Sequence, residues 1–188
     1  MNESLRLRVA QMEDAQRVFV WRNDPWIISL STSQRMVAWE EHLAWFRKVL
    51  ATDRHLLLLI EIEEGLGIGT VRLDRVDALR ATLTVYLLRD FTGQGLGVKA
   101  IMSGSARAFA QWPVRSIHAY IRKENVRSCS AFSKAGFVSA HNGADVPPGH
   151  VEMVLLDKSP RARQSGSLGQ VETGQPRRSG TGSRIPLG

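Results

Sequence analysis

Three glycines at alternate positions, Gly93, Gly95 and Gly97, sit between two runs of different character. Before them Thr82 to Leu88 is β-branched and aromatic and reads as a strand, closed by a polar turn, Arg89 to Thr92. After them Val98 to Ala110 carries small and apolar residues at helical spacing. The chemistry open to such an order is anion binding. Glycine lets the backbone approach a ligand closely and reach dihedrals that other residues avoid. The first amides of a helix have no partner within it and stand at the positive end of its dipole. A strand, a glycine loop and a helix start therefore make a phosphate cradle, here from Thr92 through Gly93, Gln94, Gly95, Leu96 and Gly97 to Val98. A Walker loop is excluded, because no Lys-Ser or Lys-Thr follows a glycine. A dinucleotide loop starting at Gly93 fails too, because its third glycine would fall at Val98. The same letters also fit a glycine turn with no ligand, and the loop alone does not choose.

Other residues could move protons or hold a substrate. His118 and Tyr120 alternate onto one face of a strand, Ser116 to Ile121, and Tyr86 stands on the strand before the loop. An unperturbed imidazole titrates near pH 6.5, as a general base requires; His118 is either that base or a histidine at the core edge. Arg22, Asn23 and His42 are candidate substrate contacts. Their other reading is helix-end hydrogen bonding for Arg22 and Asn23, and a partly buried helix face for His42. Trp39 and Phe46 read as core. No Cys/His cluster has metal-ligand spacing, so no metal is expected.

The elements that must position these residues follow from periodicity. Leu5 to Val9 alternates apolar and basic residues as a first strand. A helix begins at Asp14, with Ala15, Val18 and Phe19 on one face, and ends before Pro25. Trp26 to Ser33 reads as irregular. A second helix spans Val37 to Ala51. Leu56 to Ile62, Gly67 to Arg75 and Thr82 to Leu88 are three strands, and the glycine-loop helix ends near Trp112-Pro113. After Ser116 to Ile121, Asn125 is a good cap for a short helix, Val126 to Ala135, closed by Gly136. Phe137 to Ala140 and Val151 to Leu156 complete the set. This predicts an α/β (α+β) domain, a mixed sheet flanked by helices.

A chain of 188 residues with 43% hydrophobic content fits one domain with a sizeable core. The net charge of +7 is unevenly placed. Residues 158 to 188 hold six basic side chains against Glu172, which leaves +2 for the first 157 residues. That tail has no aromatic residue and is rich in Gly, Ser, Pro and Arg. We expect a domain over residues 1–157 and a disordered tail over 158–188. The longest apolar run, Leu56 to Ile60, cannot span a bilayer, and the first residues lack a signal-peptide core. A single cysteine, Cys129, fits a reducing compartment. The expectation is a cytoplasmic monomer or homodimer with no membrane and no specific nucleic-acid partner.

The glycine loop resembles the pyrophosphate loop of the GCN5-related N-acetyltransferases (GNAT), whose pattern is [QR]-x-x-G-x-[GA]. Gly95 and Gly97 match it, and Thr92 departs from the expected Gln or Arg. The run Asn125 to Phe137 is similar to the family's N-x-x-S-x-x-x-[YF]-x-K-x-G-F helix, with Ser128, Phe132 and Lys134 in register. The order of elements also resembles that of the family, over roughly residues 5 to 157. Trp21 to Pro25, Trp39 to Phe46 and Gly67 to Asp74 resemble a branch that acetylates amino-sugar nucleotides, of the pseudaminic-acid-pathway type. A ribosomal-protein N-terminal acetyltransferase branch shares the Arg-Asn pair.

The resemblance implies a mostly antiparallel mixed sheet whose fourth and fifth strands splay around acetyl-CoA, the co-substrate. It implies that the pyrophosphate accepts hydrogen bonds from the amides of Gln94 to Val98. It places the thioester against the backbone of Leu87 and Leu88, and the pantetheine arm beside Asn125, Ser128 and Phe132. It implies direct attack by a small-molecule primary amine. The acid and base do not carry over, because Ala81-Thr82 stands where some members have a glutamate and Phe132 where many have a tyrosine. His118, Tyr120 and Tyr86 are the substitutes. These departures leave a non-catalytic CoA-binding module as an alternative, beside the N-terminal amine acetyltransferase.

Overall fold

The computed structural model describes residues 5–140 and 146–159. Seven strands form one sheet: β1 (Arg6–Val9), β2 (His55–Ile62), β3 (Leu66–Arg75), β4 (Arg80–Leu87), β5 (Ser116–Arg122), β6 (Val138–Ala140) and β7 (His150–Leu156). Their spatial order is β1-β2-β3-β4-β5-β7-β6, and only β4 and β5 run parallel. Among the described residues, five α-helices flank the sheet: α1 (Ala15–Arg22), α2 (Pro25–Leu30), α3 (Trp39–Leu50), α4 (Leu96–Gln111) and α5 (Val126–Lys134). The mixed, mostly antiparallel sheet expected from the sequence is what forms.

Each face of the sheet has its own core. Under α4 and α5 lie Leu58, Ile60, Val71, Leu73, Leu83 and Ile117, with Phe132 of α5 packed among them. Helix α4 comes close because Gly104 has no side chain; a Cβ there would lie 2.8 Å from a Val71 methyl. The opposite face carries Leu57 and Leu59 under Val18, Trp21 and Phe46. At its outer edge Arg8 makes two bonds to Asp14, each 2.9 Å, and one to Glu61 at 2.8 Å. The root of α1 is fixed there to β1 and β2.

Two local expectations change. The stretch read as irregular contains α2. Pro25 does end α1, but it also sits at the first helical position of α2, where its missing N–H costs nothing. Asp24 caps that helix by accepting from the Trp26 amide at 2.7 Å. Helix α3 starts at Trp39 rather than Val37, because the Val37 amide donates to Asn23 and holds the chain extended. The tail read as disordered lies outside the described residues, apart from Lys158 and Ser159. None of the helices described is long and apolar enough to cross a membrane.

The feature that matters most is where β4 and β5 part. They pair only over Arg80–Ser116, Ala81–Ile117 and Thr82–His118. Beyond that point β4 continues to Leu87 and β5 to Arg122 without pairing. The sheet is split from one edge to its middle.

Candidate active site

The split opens into a cleft of about 640 Å³. Main-chain geometry makes one half of it. The Leu88 amide donates to the Ile68 carbonyl at 2.8 Å, which sets the phase of the β3–β4 ladder. Antiparallel residues alternate in the direction their amides face. Thr84 and Tyr86 therefore spend theirs on β3, while Val85 and Leu87 aim N–H and C=O into the gap left by β5. Of the two residues expected to face a thioester, Leu87 lines the cleft; Leu88 does not, because its amide belongs to the ladder and its side chain to the α1–α3 core.

The glycine loop closes that half. Gly93 and Gly95 have φ of +80° and +78°, which only glycine adopts freely. Their left-handed turns bring the chain into α4 with Gly95 at its cap. The first bond of the helix runs from Lys99 N to Gly95 O, and among the described residues the amides of Gln94 to Val98 donate to nothing. Thr92, Gly93, Gly95, Gly97 and Val98 line the cleft. The Gln94 and Leu96 side chains do not: Gln94 folds back on the Asp90 carbonyl at 2.9 Å, and Leu96 is in the core.

The opposite wall is α5. Asn125 accepts from the Ser128 amide at 3.1 Å, capping the helix as its type suggests, and both residues face the cleft. Phe132 reaches it too, but is packed edge-on against Phe137 at 4.9 Å and offers no proton. Arg127 stands out. It donates to the Thr92 hydroxyl at 3.0 Å, so a guanidinium from α5 is held at the loop position where the family pattern has Gln or Arg. Arg127 and Arg89 each lie 5.5 Å from the Trp26 ring on α2, within cation–π range. Neither Arg127 nor Trp26 carried a signal of its own in the sequence, since the contact joins residues a hundred positions apart.

Side chains make the second half. Arg22, Arg35, Glu41, His42, Trp45, Thr70, Arg72, Thr84 and Tyr86 line it. Burial pushes the Tyr86 hydroxyl up to about 12, with Thr70, Arg22 and Arg72 pulling the other way. The phenol thus keeps its proton at neutral pH. Its oxygen is buried and completes no hydrogen bond among the described residues. Tyr120 also lines the cleft.

The remaining candidates divide. His118 lies where β4 and β5 are still paired and is absent from the cleft wall. Its ring nitrogens meet Glu152 at 2.7 Å and Ser116 at 2.8 Å. Of its two sequence readings, the core-edge histidine fits this placement. Asn23 is a clamp rather than a contact: it donates to the Val37 carbonyl at 2.9 Å and accepts from the Val37 amide at 2.8 Å. His42 lines the cleft from within a cage of Phe19, Trp39, Trp45 and Phe46. Burial lowers its pKa, and its Nε2–H donates to the Ala15 carbonyl at 2.9 Å, so it is a neutral strut between α1 and α3. Arg22 is in the cleft and donates to the Ser33 hydroxyl at 2.8 Å. Among the described residues no group of metal-ligating side chains could hold an ion.

Coenzyme A fits what the donor half presents: free amides for a diphosphate, an unpaired strand edge for the amide-bearing pantetheine arm, and Arg122, Arg127 and Lys134 for its phosphates. The comparisons agree. The chain matches the family model described as the acetyltransferase (GNAT) domain over residues 4–138. Spermidine N-acetyltransferase from Vibrio cholerae, solved with CoA and spermine, superposes with a TM-score of 0.71 at 18% identity, over 81% of this chain and 95% of that chain. The aminoglycoside acetyltransferase AAC(6')-Ib, solved with coenzyme A, does so with a TM-score of 0.70 at 19% identity, over 86% and 98%. A domain from Methanocaldococcus jannaschii DSM 2661 gives 0.71 at 18% identity, over 82% and 99%. No curated protein matches the chain. At these identities the likeness to solved structures speaks to the fold, and the family match to the chemistry. The chain belongs to the GNAT acetyltransferases, enzymes that pass an acetyl group from acetyl-CoA to an amine.

Proposed function

We propose that this enzyme acetylates the primary amine of a small acceptor, and that the acceptor is an amino-sugar nucleotide. The observation that carries the reading is the pairing of the two halves in one cleft. A strand edge and a glycine loop suited to coenzyme A meet, at Leu87, a basic wall that holds the protonated phenol of Tyr86. The stretches Trp21 to Pro25, Trp39 to Phe46 and Gly67 to Asp74, which motivate the sugar branch, all contribute to or support the acceptor half.

Acetyl-CoA supplies the activated acetyl group. The residues of the chain supply the rest. The edge of β4 and the loop amides hold the donor so that the acceptor amine meets the carbonyl carbon. Such proximity is worth up to roughly 7–11 kcal/mol in favourable cases. The amine forms the C–N bond as the C–S bond breaks. Tyr86 gives its proton to the departing sulfur; burial keeps the phenol protonated but makes it a weaker acid, so the transfer accompanies C–S cleavage and does not precede it. Glu41 is the one carboxylate among the described cleft residues, but Arg35 holds it below its ordinary range, so it is a weak base. The ammonium proton therefore leaves through water in the open cleft, and Tyr86 is reprotonated from the same water.

A second reading, acetylation of a protein N-terminus, shares the Arg-Asn pair. The clamp of Asn23 on the backbone of Val37 serves both readings alike, so the choice falls to the acceptor screen. Thiol release with acetyl-CoA, screened against amino-sugar nucleotides and N-terminal peptides, tests the choice. Release with a sugar nucleotide is expected; release with peptides alone would transfer the reading to the second branch.

A further inference from the structure

We propose that the acceptor carries an anionic group, phosphate or carboxylate, seated between Arg22 and Arg72, and that polycationic amines are excluded. The inference rests on the acetyltransferase reading but not on the acceptor being a sugar. Its basis is the charge inventory of the cleft. Among the described residues, six cationic side chains line it, against the single carboxylate of Glu41. Arg122, Arg127 and Lys134 fall on the donor side, where coenzyme A brings its own phosphates. Arg22, Arg35 and Arg72 fall on the acceptor side, where the donor brings none.

The three acceptor-side arginines are not equivalent. Arg35 is closed in an ion pair with Glu41, so those two charges cancel. Arg22 has no carboxylate partner among the described residues; it donates to the Ser33 hydroxyl and, at 3.5 Å, to the Arg35 carbonyl. Arg72 leans its Nε on Asp74 at 2.9 Å, but Asp74 also meets His55 at 2.8 Å, and the Arg72 terminal nitrogens stay uncommitted among the described residues. The Arg72 guanidinium is fixed over the Trp45 ring at 5.6 Å, so it is aimed rather than loose. Burial and the neighbouring Arg35 and Arg72 hold the Arg22 pKa below its ordinary value, while Tyr86 and Glu41 act the other way. A half-buried guanidinium held without a counter-charge is stabilised by whatever anion enters. Arginine's planar fork suits phosphate and carboxylate oxygens. A polyamine or an aminoglycoside brings several ammonium groups to the same place and meets repulsion. The two solved neighbours share the fold, and the charge of this acceptor wall points to a different acceptor.

Calorimetry on the full chain saturated with coenzyme A isolates the acceptor half, with inorganic pyrophosphate and spermine as probes. Pyrophosphate is expected to bind, and Arg22→Gln and Arg72→Gln are each expected to weaken it at least tenfold. Arg22→Lys should retain most of the affinity. Spermine should give no binding heat. Unchanged affinity of each variant for coenzyme A shows that it folds; should Arg72→Gln lose that affinity, Arg22→Gln alone decides. Spermine binding, absence of pyrophosphate binding, or equal pyrophosphate affinity in wild type and Arg22→Gln would overturn the proposal. Failure of the wild type to bind coenzyme A would overturn the transferase reading and this inference with it.

Discussion

On one side of Leu87 the cleft is walled by main chain: the edge of β4, the amides of Gln94 to Val98 and the turns at Gly93 and Gly95. On the other side it is walled by side chains from α1, α3, β3 and β4: Arg22, Glu41, Trp45, Arg72 and Tyr86. The difference teaches how the two substrates are handled. A backbone site can be specified by a few glycines and a strand that ends its pairing early, and it suits a ligand that never changes. A side-chain site is adjusted one residue at a time, and it suits an acceptor that differs between relatives. Trp26 crosses the boundary. It is carried by α2 on the acceptor side and clasped by Arg89 and Arg127 on the donor side.

The most damaging test of this division is Tyr86→Phe. Loss of the proton donor should lower kcat by about a hundredfold or more while the KM for acetyl-CoA holds. Stability should change little, because the ring and its packing against the α1–α3 core are kept. His118→Gln should leave kcat near wild type; the reverse pattern would return the chemistry to β5. The donor half is tested next by Gly95→Val. A side chain at φ +78° costs about 1–2 kcal/mol, which the loop relieves by leaving its turn, so calorimetry should show acetyl-CoA affinity falling by about fivefold to thirtyfold. Equal affinity would mean that the loop amides hold nothing.

Arg127→Ala probes the crossing point. Removing its Thr92 bond and its stacking on Trp26 should raise the KM for acetyl-CoA by about fivefold, roughly 1 kcal/mol. Adding Thr92→Arg, which restores a cation to the loop itself, should recover much of that loss. The smallest effect concerns the anchor of α1. The hydrogen bonds from Arg8 hold the Asp14 carboxyl below its ordinary value of 3.8, assisted by the Gln11 amide against the cost of burial. A depressed folded-state pKa means that the contribution is present above about pH 3.8 and disappears as pH falls through the folded value. The melting temperature of Asp14→Ala should therefore lie a few degrees below wild type at pH 7. The two curves should start to close below pH 3.8 and meet once pH has fallen past the folded value; a gap of constant size across that range would disprove the ion pair as its source.

The strand, glycine and helix order around Gly95, the Asn125 cap and the sheet class were legible in the sequence because each is local. Dihedral freedom at Gly93 and Gly95, an orphan amide after a glycine and a cap before an apolar run depend on neighbours a few positions away. Pro25 shows the limit of that reading: its letters say that one helix ends, but whether another begins depends on Asp24 turning its carboxylate to the Trp26 amide. The choice among Tyr86, Tyr120 and His118 could not be made from periodicity. Alternation places all three on sheet faces, and only the point at which β4 leaves β5 decides that Tyr86 and Tyr120 meet the cleft while His118 meets Glu152. The guanidinium that Thr92 lacks comes from α5, thirty-five positions away. The sequence by itself determined the backbone cradle, since glycine and helix geometry act over short range. The tertiary structure alone decided the charge of the acceptor wall, since Arg22 and Arg72 become neighbours only when α1 packs on β3.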